Sequence, residues 1–371
     1  MIKLRFALIG LGQMGKKYAK IIQSMIPKSF LLTAICTRSQ SNIDWAKENL
    51  DEEALIFQET EQLFAPSAVD TYDVVLIVTP HKLHPELAMK AFQAGKHVLC
   101  DKPAGISVLQ AQKMNEEAIK SGKKFAMMFQ QRTYEKYQKI KELIENESIG
   151  QIRRVSMVHT NLFRTEFYHN SSDWRSSWQE EGGGVLINQG QHVLDIWQWL
   201  FGMPKKLQAY IPFGKYNDFT VDDEATLIME YPNKMTGTLI ISTGEPYGES
   251  RLEISGTKGK MILTGNTLSV WYYKQDIKSY SKTAQVNDNR ELDIRKSVYD
   301  FYDGGNLYHP YEVLFQNFKM AVLSDEPLLA DGLDGIHPLM LANAAYFSAW
   351  KNKRVRIPID MEKYEAALKQ H

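Results

Sequence analysis

The sequence predicts a two-domain α/β protein: a doubly wound parallel sheet comes first, and a C-terminal α/β domain with a large, mostly antiparallel open sheet follows. Three observations predict it. A glycine motif directly follows the first strand-like run, apolar runs then alternate with helical patterns as far as residue 129, and strand-like runs separated by turns fill residues 206–273. We place the first domain at residues 1–130 and the second at residues 131–371, in line with the usual domain size.

Composition narrows the class of protein. The 371 residues carry 44 Lys plus Arg and 44 Asp plus Glu, so we expect neither a nucleic-acid partner nor a membrane-surface role. Cys36 and Cys100 each follow an apolar run, which predicts buried thiols rather than a disulfide and favours the reducing cytoplasm. The N-terminus enters a strand directly, so we expect no signal peptide, and no apolar run reaches the roughly 20 residues of a membrane span.

The glycine motif predicts a dinucleotide site. The strand Leu4–Ile9 leads into Gly10-Leu-Gly12-Gln-Met-Gly15, and a helical pattern continues to about Met25. Gly10 permits the tight turn, Gly12 removes a side chain that would block a pyrophosphate, and Gly15 lets helix and strand pack closely. The strand, motif and helix together indicate a Rossmann fold.

The end of the second strand bears on the choice of cofactor. An NAD-binding unit usually ends this strand with Asp or Glu, but residues 37–39 here are Thr37, Arg38 and Ser39, and no carboxylate follows before Asp44. The missing acid removes repulsion of a 2′-phosphate, and Arg38 with Ser39 offers it a partner. We therefore predict NADP in preference to NAD without excluding NAD; alternatively, Arg38 stacks on the adenine or points to solvent.

Polar residues follow the later strands of the first domain, where parallel sheets bind ligands. Lys102, in the stretch Val98-Leu-Cys-Asp-Lys-Pro103, is the central candidate, although a lone lysine at a strand end is often only a solvated charge. His81 and His84 lack clustered Cys, Asp or a third His, so we expect no metal. The predicted cofactor-binding residues are Gly10, Gly12, Gln13, Met14, Gly15, Thr37, Arg38, Thr79, Pro80, His84, Asp101, Lys102 and Gln131.

A second polar cluster follows three glycines, Gly182-Gly-Gly184. We expect a helix from Val185, on which Asn188, His192 and Asp195 are spaced i, i+4, i+7 and share one face. Such a face is either a buried polar network or part of a site, and the glycines that allow close backbone approach keep the second interpretation open.

These residues resemble the glucose–fructose oxidoreductase and inositol dehydrogenase (Gfo/Idh/MocA) family over nearly the whole chain. The matching segments are residues 10–15, Thr79-Pro80 with His84, residues 94–103, residues 182–195, residues 252–259 and residues 344–348. The resemblance implies a Rossmann domain, a second domain with a large open sheet, a homo-oligomer (dimer or tetramer) formed through that sheet, and NAD(P)-linked oxidation or reduction of sugars, cyclitols and related polyols.

The resemblance also implies catalytic roles. The family lysine maps onto Lys102 as base or acid, and the family histidine maps onto His192. Asp101 takes the place of the usual Glu, and Asn188 stands where inositol-dehydrogenase-like members have Asp. Because an amide cannot take a proton, we do not expect an inositol dehydrogenase, and Asn188 is assigned the orientation of a substrate hydroxyl.

The substrate residues and the reaction retain alternatives. Sugar-binding candidates, since polyols need several hydrogen bonds and an aromatic wall, are Gln131, Arg132, Trp174, Arg175 and His309, and Trp174 is equally compatible with the core. A dehydrogenase or reductase is the favoured reading. The alternatives are a glycosidase that uses bound NAD transiently, and a non-catalytic NAD(P)-binding regulator of a sugar pathway.

Overall fold

The computed structural model describes residues 3–25, 29–50, 54–302 and 305–371. Its strands, labelled in chain order, are β1 Leu4–Ile9, β2 Phe30–Cys36, β3 Leu55–Phe57, β4 Val74–Ile77, β5 His97–Cys100, β6 Phe125–Met127, β7 Ile152–His159, β8 Lys206–Tyr210, β9 Glu224–Glu230, β10 Thr236–Ser242, β11 Ser250–Gly256, β12 Gly259–Thr264, β13 Thr267–Tyr273, β14 Ile294–Asp300 and β15 Val355–Arg356. Its α-helices are Gln13–Ser24, Gln40–Asn49, Thr60–Leu63, Pro66–Val69, His84–Gln93, Val108–Ser121, Glu135–Glu145, Glu166–His169, Gly190–Phe201, Ile277–Thr283, His309–Ser324, Ile336–Lys351 and Met361–Leu368.

The chain divides into two compact units. The first unit comprises Met1–Thr133, Gln179–Gly182 and Asn306–Leu339, and the second comprises Tyr134–Trp178, Gly183–Gly305 and Met340–His371. The sequence-based division assigned residues 306–339 to the second domain, whereas the structure groups them with the first unit. The single boundary after residue 130 stays a prediction.

The first unit contains the predicted parallel sheet. Its strand order is β3-β2-β1-β4-β5-β6, and every neighbouring pair is parallel. This is the strand order of a doubly wound dinucleotide-binding sheet, in which the order reverses between β1 and β4. All four residues of β4 are buried, as expected for a strand covered by helices on both faces.

A segment distant in sequence completes the core of the first unit. The helix His309–Ser324 places Phe315 against Tyr18, Phe6 and Phe30, with ring centroids 5.8 to 6.2 Å apart. The backbone N–H of Met127 in β6 donates to the carbonyl of Ala330. Burial of aromatic rings in this arrangement stabilises both the helix and the sheet.

The second unit contains the predicted large sheet. Its nine strands are ordered β14-β13-β12-β11-β7-β10-β9-β8-β15, with β7 and β10 parallel and the other pairs antiparallel. One face packs on the helix Gly190–Phe201, where Trp197 lies directly over Gly237 and leaves no room there for a β-carbon. The predicted fold class is therefore confirmed.

The edge of the second sheet is not apparent from the sequence. Residues 279–295 are polar and mostly unpatterned. They include most of the helix Ile277–Thr283 and the start of β14, which pairs with β13 as the edge strand of the sheet. β14 is exposed along most of its length, so its sequence lacks the apolar run that would have indicated a strand.

Two histidines predict a loss of stability on acidification. Burial lowers the pKa of His97 and of His159 from 6.5 to about 4. His97 must stay neutral to accept the backbone N–H of Lys124 at 2.9 Å on Nδ1. The unfolded chain takes up these protons below about pH 6.5 and the folded chain only near pH 4. The stabilisation from the neutral histidines is therefore fully present above pH 6.5 and is lost between pH 6.5 and pH 4, by up to about 3 kcal/mol for His159 and by less for the partly exposed His97.

Urea unfolding at several pH values between 7.5 and 4.5 measures this effect. His97→Gln should flatten part of the pH dependence, whereas the matched control His309→Gln, at an exposed position, should retain all of it. A wild-type free energy of unfolding that stays constant from pH 7 to pH 4.5 contradicts the prediction.

Candidate functional site

The glycine loop leaves space for a ligand where one is expected. Gly10 has φ +94°, and a β-carbon there would lie 2.5 Å from the carbonyl oxygen of Val78. A β-carbon on Gly15 would overlap the carbonyl of Gly10, whereas one on Gly12 would have no protein atom within 4 Å. The helix Gln13–Ser24 that follows has no side-chain cap and no acidic residue in its first turn. Its N-terminus therefore suits an anionic pyrophosphate, and this part of the chain fits a dinucleotide.

The end of β2 carries an exposed arginine. Thr37 is buried, and its N–H donates to the carbonyl of Phe57, whereas Arg38 is exposed. Burial raises the pKa of the Cys36 thiol to about 11, and the nearby charges of Glu59 and Glu61 act in the same direction. Glu59 is engaged in the capping box of the helix Thr60–Leu63. The position of these carboxylates has no indication in the sequence, because β3 is too short to be recognised from its pattern.

His84 joins the ends of β4 and β5. Its Nδ1 lies 2.7 Å from the carbonyl oxygen of Pro103 and its Nε2 lies 2.8 Å from that of Thr79. Burial lowers the pKa of His84, while the two carbonyls and the charge of Asp101 raise it. The Thr79 hydroxyl is buried and has no hydrogen-bond partner among the described residues, so a polar group is available at this strand end.

Asp101 fixes the backbone of the lysine that follows it. Its Oδ1 accepts the N–H of Lys102 at 2.9 Å and the hydroxyl of Tyr18 at 3.3 Å. Burial raises the pKa of Asp101, and the charges of Lys102 and His84 oppose that shift. The structure thus brings Asp101, Lys102 and His84 together, and their role in binding a cofactor stays a prediction. It adds Tyr18, whose hydroxyl contact with Asp101 had no indication in the sequence.

The remaining first-unit candidates have different surroundings. Gln131 is half-buried in the 3₁₀ segment Gln130–Thr133. Arg132 is buried and donates to Asp334 Oδ2 at 2.8 Å, which favours a structural role over sugar binding. His309 is exposed at the start of the helix His309–Ser324.

In the second unit, a buried aspartate holds the glycine loop. Oδ1 of Asp222 accepts the N–H of Gly184 at 2.6 Å and the hydroxyl of Tyr346 at 2.7 Å, and Oδ2 accepts the N–H of Leu186 at 2.8 Å. A β-carbon on Gly184 would overlap the backbone carbonyl of Asp222. Close backbone approach is therefore what this glycine permits. Sequence reasoning missed Asp222, which lies far along the chain in a pair of aspartates without a motif.

The predicted helix from Val185 is wrong at its start. Turns occupy residues 185–189, and the helix begins at Gly190. Asn188 therefore lies in the turn before the helix, while His192 is half-buried in the first turn of the helix itself. Asp195 is buried and accepts from Gln198 Nε2 at 3.0 Å, so it contributes to the buried polar network that the sequence allowed. Asp222 holds the backbone of Gly184 and Leu186, so the residues before Gly190 form turns and the helix begins later than predicted.

Asn188 contacts a tyrosine that the sequence did not indicate. The Tyr168 hydroxyl accepts from Asn188 Nδ2 at 3.2 Å, from Gln189 Nε2 at 3.0 Å and from Arg175 at 2.5 Å. The Arg175 guanidinium lies 4.2 Å from the Tyr168 ring centroid and 4.7 Å from that of Trp174, which is half-buried. Two of the predicted substrate residues, Trp174 and Arg175, therefore lie with Asn188 in one cluster.

The described ranges lack two features, a metal-binding cluster and a membrane-spanning helix. No group of three or more His, Cys, Asp and Glu residues there is arranged to hold a metal ion. None of the helices in the same ranges has the length and apolar character to cross a membrane.

A six-stranded parallel sheet with an uncapped glycine-loop helix, joined in one chain to a nine-stranded mixed sheet, defines the class of two-domain NAD(P)-binding oxidoreductases. Residues 4–129 match the model of the oxidoreductase family with an NAD-binding Rossmann fold, and residues 137–262 match the GFO/IDH/MocA C-terminal domain. The chain belongs to the Gfo/Idh/MocA family of oxidoreductases, which confirms the predicted NAD(P)-dependent oxidoreductase.

Curated relatives and solved structures agree with this assignment. The chain is 24% identical to the myo-inositol 2-dehydrogenase of Thermotoga maritima, over 95% of this chain and 98% of the relative. It is 26% identical to the trans-1,2-dihydrobenzene-1,2-diol dehydrogenase of Bos taurus, over 69% and 72%. The fold matches the WlbA dehydrogenase of Bordetella pertussis, solved with NADH and UDP-GlcNAcA, with a TM-score of 0.83 and 23% identity over 96% and 99% of the two chains.

Proposed function

We propose that the protein transfers a hydride reversibly between a nicotinamide cofactor and a hydroxyl or keto carbon of a sugar, cyclitol or related polyol. The observation that carries this proposal is Lys102, held by Asp101 at the carboxyl end of β5 in a sheet whose glycine loop fits a dinucleotide. The myo-inositol 2-dehydrogenase and the dihydrodiol dehydrogenase among its relatives are named for CH–OH oxidation.

Lys102 acts as the general base in oxidation and as the general acid in reduction. The bound nicotinamide supplies the hydride acceptor or donor. Lys102 Nζ takes the hydroxyl proton as the carbonyl forms, or returns it in the opposite direction. The carboxylate of Asp101 accepts the N–H of Lys102, and the imidazole of His84 contacts the carbonyl of Pro103. These two contacts hold the backbone of the base in a fixed position beyond the strand end.

His192 and Asn188 act on the substrate oxygens. His192, in the first turn of the helix Gly190–Phe201, hydrogen-bonds the reacting oxygen and shares its proton. Asn188 orients a neighbouring hydroxyl, since its amide is already directed by the Tyr168 hydroxyl. An amide holds no charge at this position, so proton transfer is assigned to Lys102 and His192.

A panel of sugars and cyclitols with each cofactor tests the function. Thermal shifts with NAD, NADP and the panel identify ligands of the folded state, and absorbance at 340 nm then measures turnover. Net formation of NAD(P)H with a polyol supports the dehydrogenase. Cofactor binding with no redox turnover of any member of the panel, or glycoside cleavage without net NAD(P)H, contradicts it and favours one of the two alternative readings.

NADP is the preferred cofactor in this proposal. Arg38 is exposed and free to meet a 2′-phosphate, and Glu59 is engaged in its capping box. Arg38→Ala should raise the KM for NADP by about 10-fold or more and change the KM for NAD little, because charge-assisted hydrogen bonds to the phosphate are lost. Steady-state kinetics with both cofactors measure the ratio, and equal effects on the two cofactors contradict the preference.

The proposal includes a homo-oligomeric assembly and a cytoplasmic location. The outer face of the nine-stranded sheet exposes Tyr210, Ile228, Ile240 and Val298 among polar side chains. Burial of this face in a homo-oligomer, a dimer or tetramer, would cover its apolar surface. The two free, buried thiols of Cys36 and Cys100 favour a cytoplasmic protein.

A further inference from the structure

Two arginines of the second unit lie against one tyrosine. The Arg175 guanidinium is 4.2 Å from the Tyr168 ring centroid and that of Arg164 is 5.1 Å from the same centroid. Arg164 donates to the carbonyl of Phe163 at 2.8 Å and to that of Leu162 at 3.3 Å, and Arg175 donates to the Tyr168 hydroxyl at 2.5 Å. None of these partners is a carboxylate, so the hydrogen bonds of both guanidinium groups go to neutral oxygens.

Both arginines are partly shielded from solvent, Arg175 at its Nε atom in particular. Arg164 and Arg175 are half-buried, and Nε of Arg175 is buried without a hydrogen-bond partner among the described residues. A guanidinium group has five donors in a planar fork, and a buried donor left unmade is costly. A positive charge that is partly withdrawn from water and has no carboxylate partner favours a bound anion that would offset it.

A histidine beside them offers a further donor. His169 Nδ1 lies 2.7 Å from Ser176 Oγ, and its Nε2 is buried without a hydrogen-bond partner among the described residues. Burial lowers the pKa of His169, with Arg175 and Arg164 acting in the same direction and Asp223 opposing them. The carboxylate of Asp223 is itself engaged by the backbone N–H groups of residues 215–217. Its charge is therefore already satisfied by other donors.

This cluster adjoins a residue assigned to the substrate. The Tyr168 ring contacts both arginines, and the Tyr168 hydroxyl accepts directly from Asn188 Nδ2 at 3.2 Å. A ligand group bound by Arg175 would therefore lie beside the polyol hydroxyl that Asn188 orients. A planar arginine fork suits carboxylate and phosphate oxygens, which uncharged hydroxyls cannot replace.

We propose that Arg175, Arg164 and His169 form a subsite for an acidic group, a carboxylate or a phosphate, carried by the sugar substrate. The proposal rests on the polyol oxidoreductase function above and narrows its substrate class to acidic sugars. Tyr168 is a positioning residue, since it holds the Arg175 guanidinium and the Asn188 amide through one oxygen.

Matched neutral and acidic sugars test the subsite in the cofactor-loaded protein. The set is D-glucose, D-glucuronate and D-glucose 6-phosphate, with the corresponding galactose compounds. Thermal shifts and steady-state kinetics are recorded for each, and the carboxylate and phosphate arms distinguish the two sources of charge. We expect acidic members to raise the melting midpoint and neutral members not to. Acidic substrates should also have a KM about 10- to 100-fold lower than their neutral counterparts.

Substitutions test whether the preference for acidic over neutral sugars comes from these residues. Arg175→Gln and Arg164→Gln should remove most of the acidic preference through KM, with kcat changed less, because uniform binding is lost. Arg175→Lys should restore part of it. The matched control is Arg295→Gln, which removes an exposed guanidinium lying 4.8 Å from the Tyr272 ring centroid and should leave the preference intact. If Arg175→Gln does not fold, Arg164→Gln and Arg175→Lys still measure the effect.

The outcomes separate the subsite from the proposed function. Acidic sugars that raise the midpoint in the wild type and not in Arg164→Gln support the subsite even if no member of the panel is oxidised, in which case the proposed function alone fails. Equal binding of neutral and acidic members, or an acidic preference that survives both glutamine variants, overturns the subsite. A change in the KM for NADP without a change for the sugar also overturns it.

Discussion

Lys102→Met should lower kcat by about 10³-fold, within the range that a general acid–base group contributes, while the affinity for the cofactor changes little. Methionine keeps the length of the side chain but cannot accept or donate the hydroxyl proton. The backbone contact that fixes the segment is unaffected, because it runs from the main-chain N–H of residue 102 to Asp101 Oδ1. The loss is therefore expected in turnover and not in folding or in binding of NAD(P).

Three measurements on Lys102→Met test this expectation: cofactor titration, the melting midpoint, and turnover of the best substrate found in the sugar and cyclitol panel. The matched control is Lys82→Met in the same unit, where the lysine forms an exposed ion pair with Glu180 at 2.8 Å. Such pairs contribute about 0 to 1 kcal/mol, so near-normal turnover is expected. Near-normal turnover of Lys102→Met would remove this lysine from the role of base.

The parts of the fold that local sequence determines were predictable. A strand, three spaced glycines and a helix have one well-known arrangement, and the structure places Gly10, Gly12 and Gly15 in that arrangement. The buried run of β4 and the strand before Lys102 were predictable for the same reason, since continuous apolar residues indicate a covered parallel strand. Asp101, Lys102 and His84 follow those strands, so their proximity followed from the sheet.

The parts that depend on distant contacts were not predictable. Residues 306–339 have an ordinary helical pattern, and nothing in it indicates that Phe315 packs against Phe6 in the first strand. Tyr168 lies in an irregular aromatic stretch without periodicity, so its contact with Asn188 had no local indication. The helix start at Gly190 was misplaced by five residues because the intervening turns are held by Asp222, from another part of the chain.

Asp222 is therefore expected to be a residue of the second unit whose loss costs much stability. The side chain is 1% exposed, and its two oxygens accept from two backbone N–H groups and the Tyr346 hydroxyl. Burial raises the pKa of Asp222, and these three donors oppose that shift by favouring the carboxylate. Asp222→Ala leaves three buried donors without an acceptor, which should lower the free energy of unfolding by about 3 to 5 kcal/mol.

Urea unfolding of Asp222→Ala and Asp222→Asn distinguishes hydrogen bonding from packing. Asparagine keeps the shape and one accepting oxygen, so its loss should be smaller, about 1 to 3 kcal/mol. Asp300→Ala is the control, because that exposed aspartate accepts one hydrogen bond from Thr267 at 2.6 Å and surface changes usually stay within about 0.5 kcal/mol. If Asp222→Ala unfolds within about 1 kcal/mol of the wild type, the loop before Asn188 is held by its turns alone, and the misplaced helix start needs a local explanation.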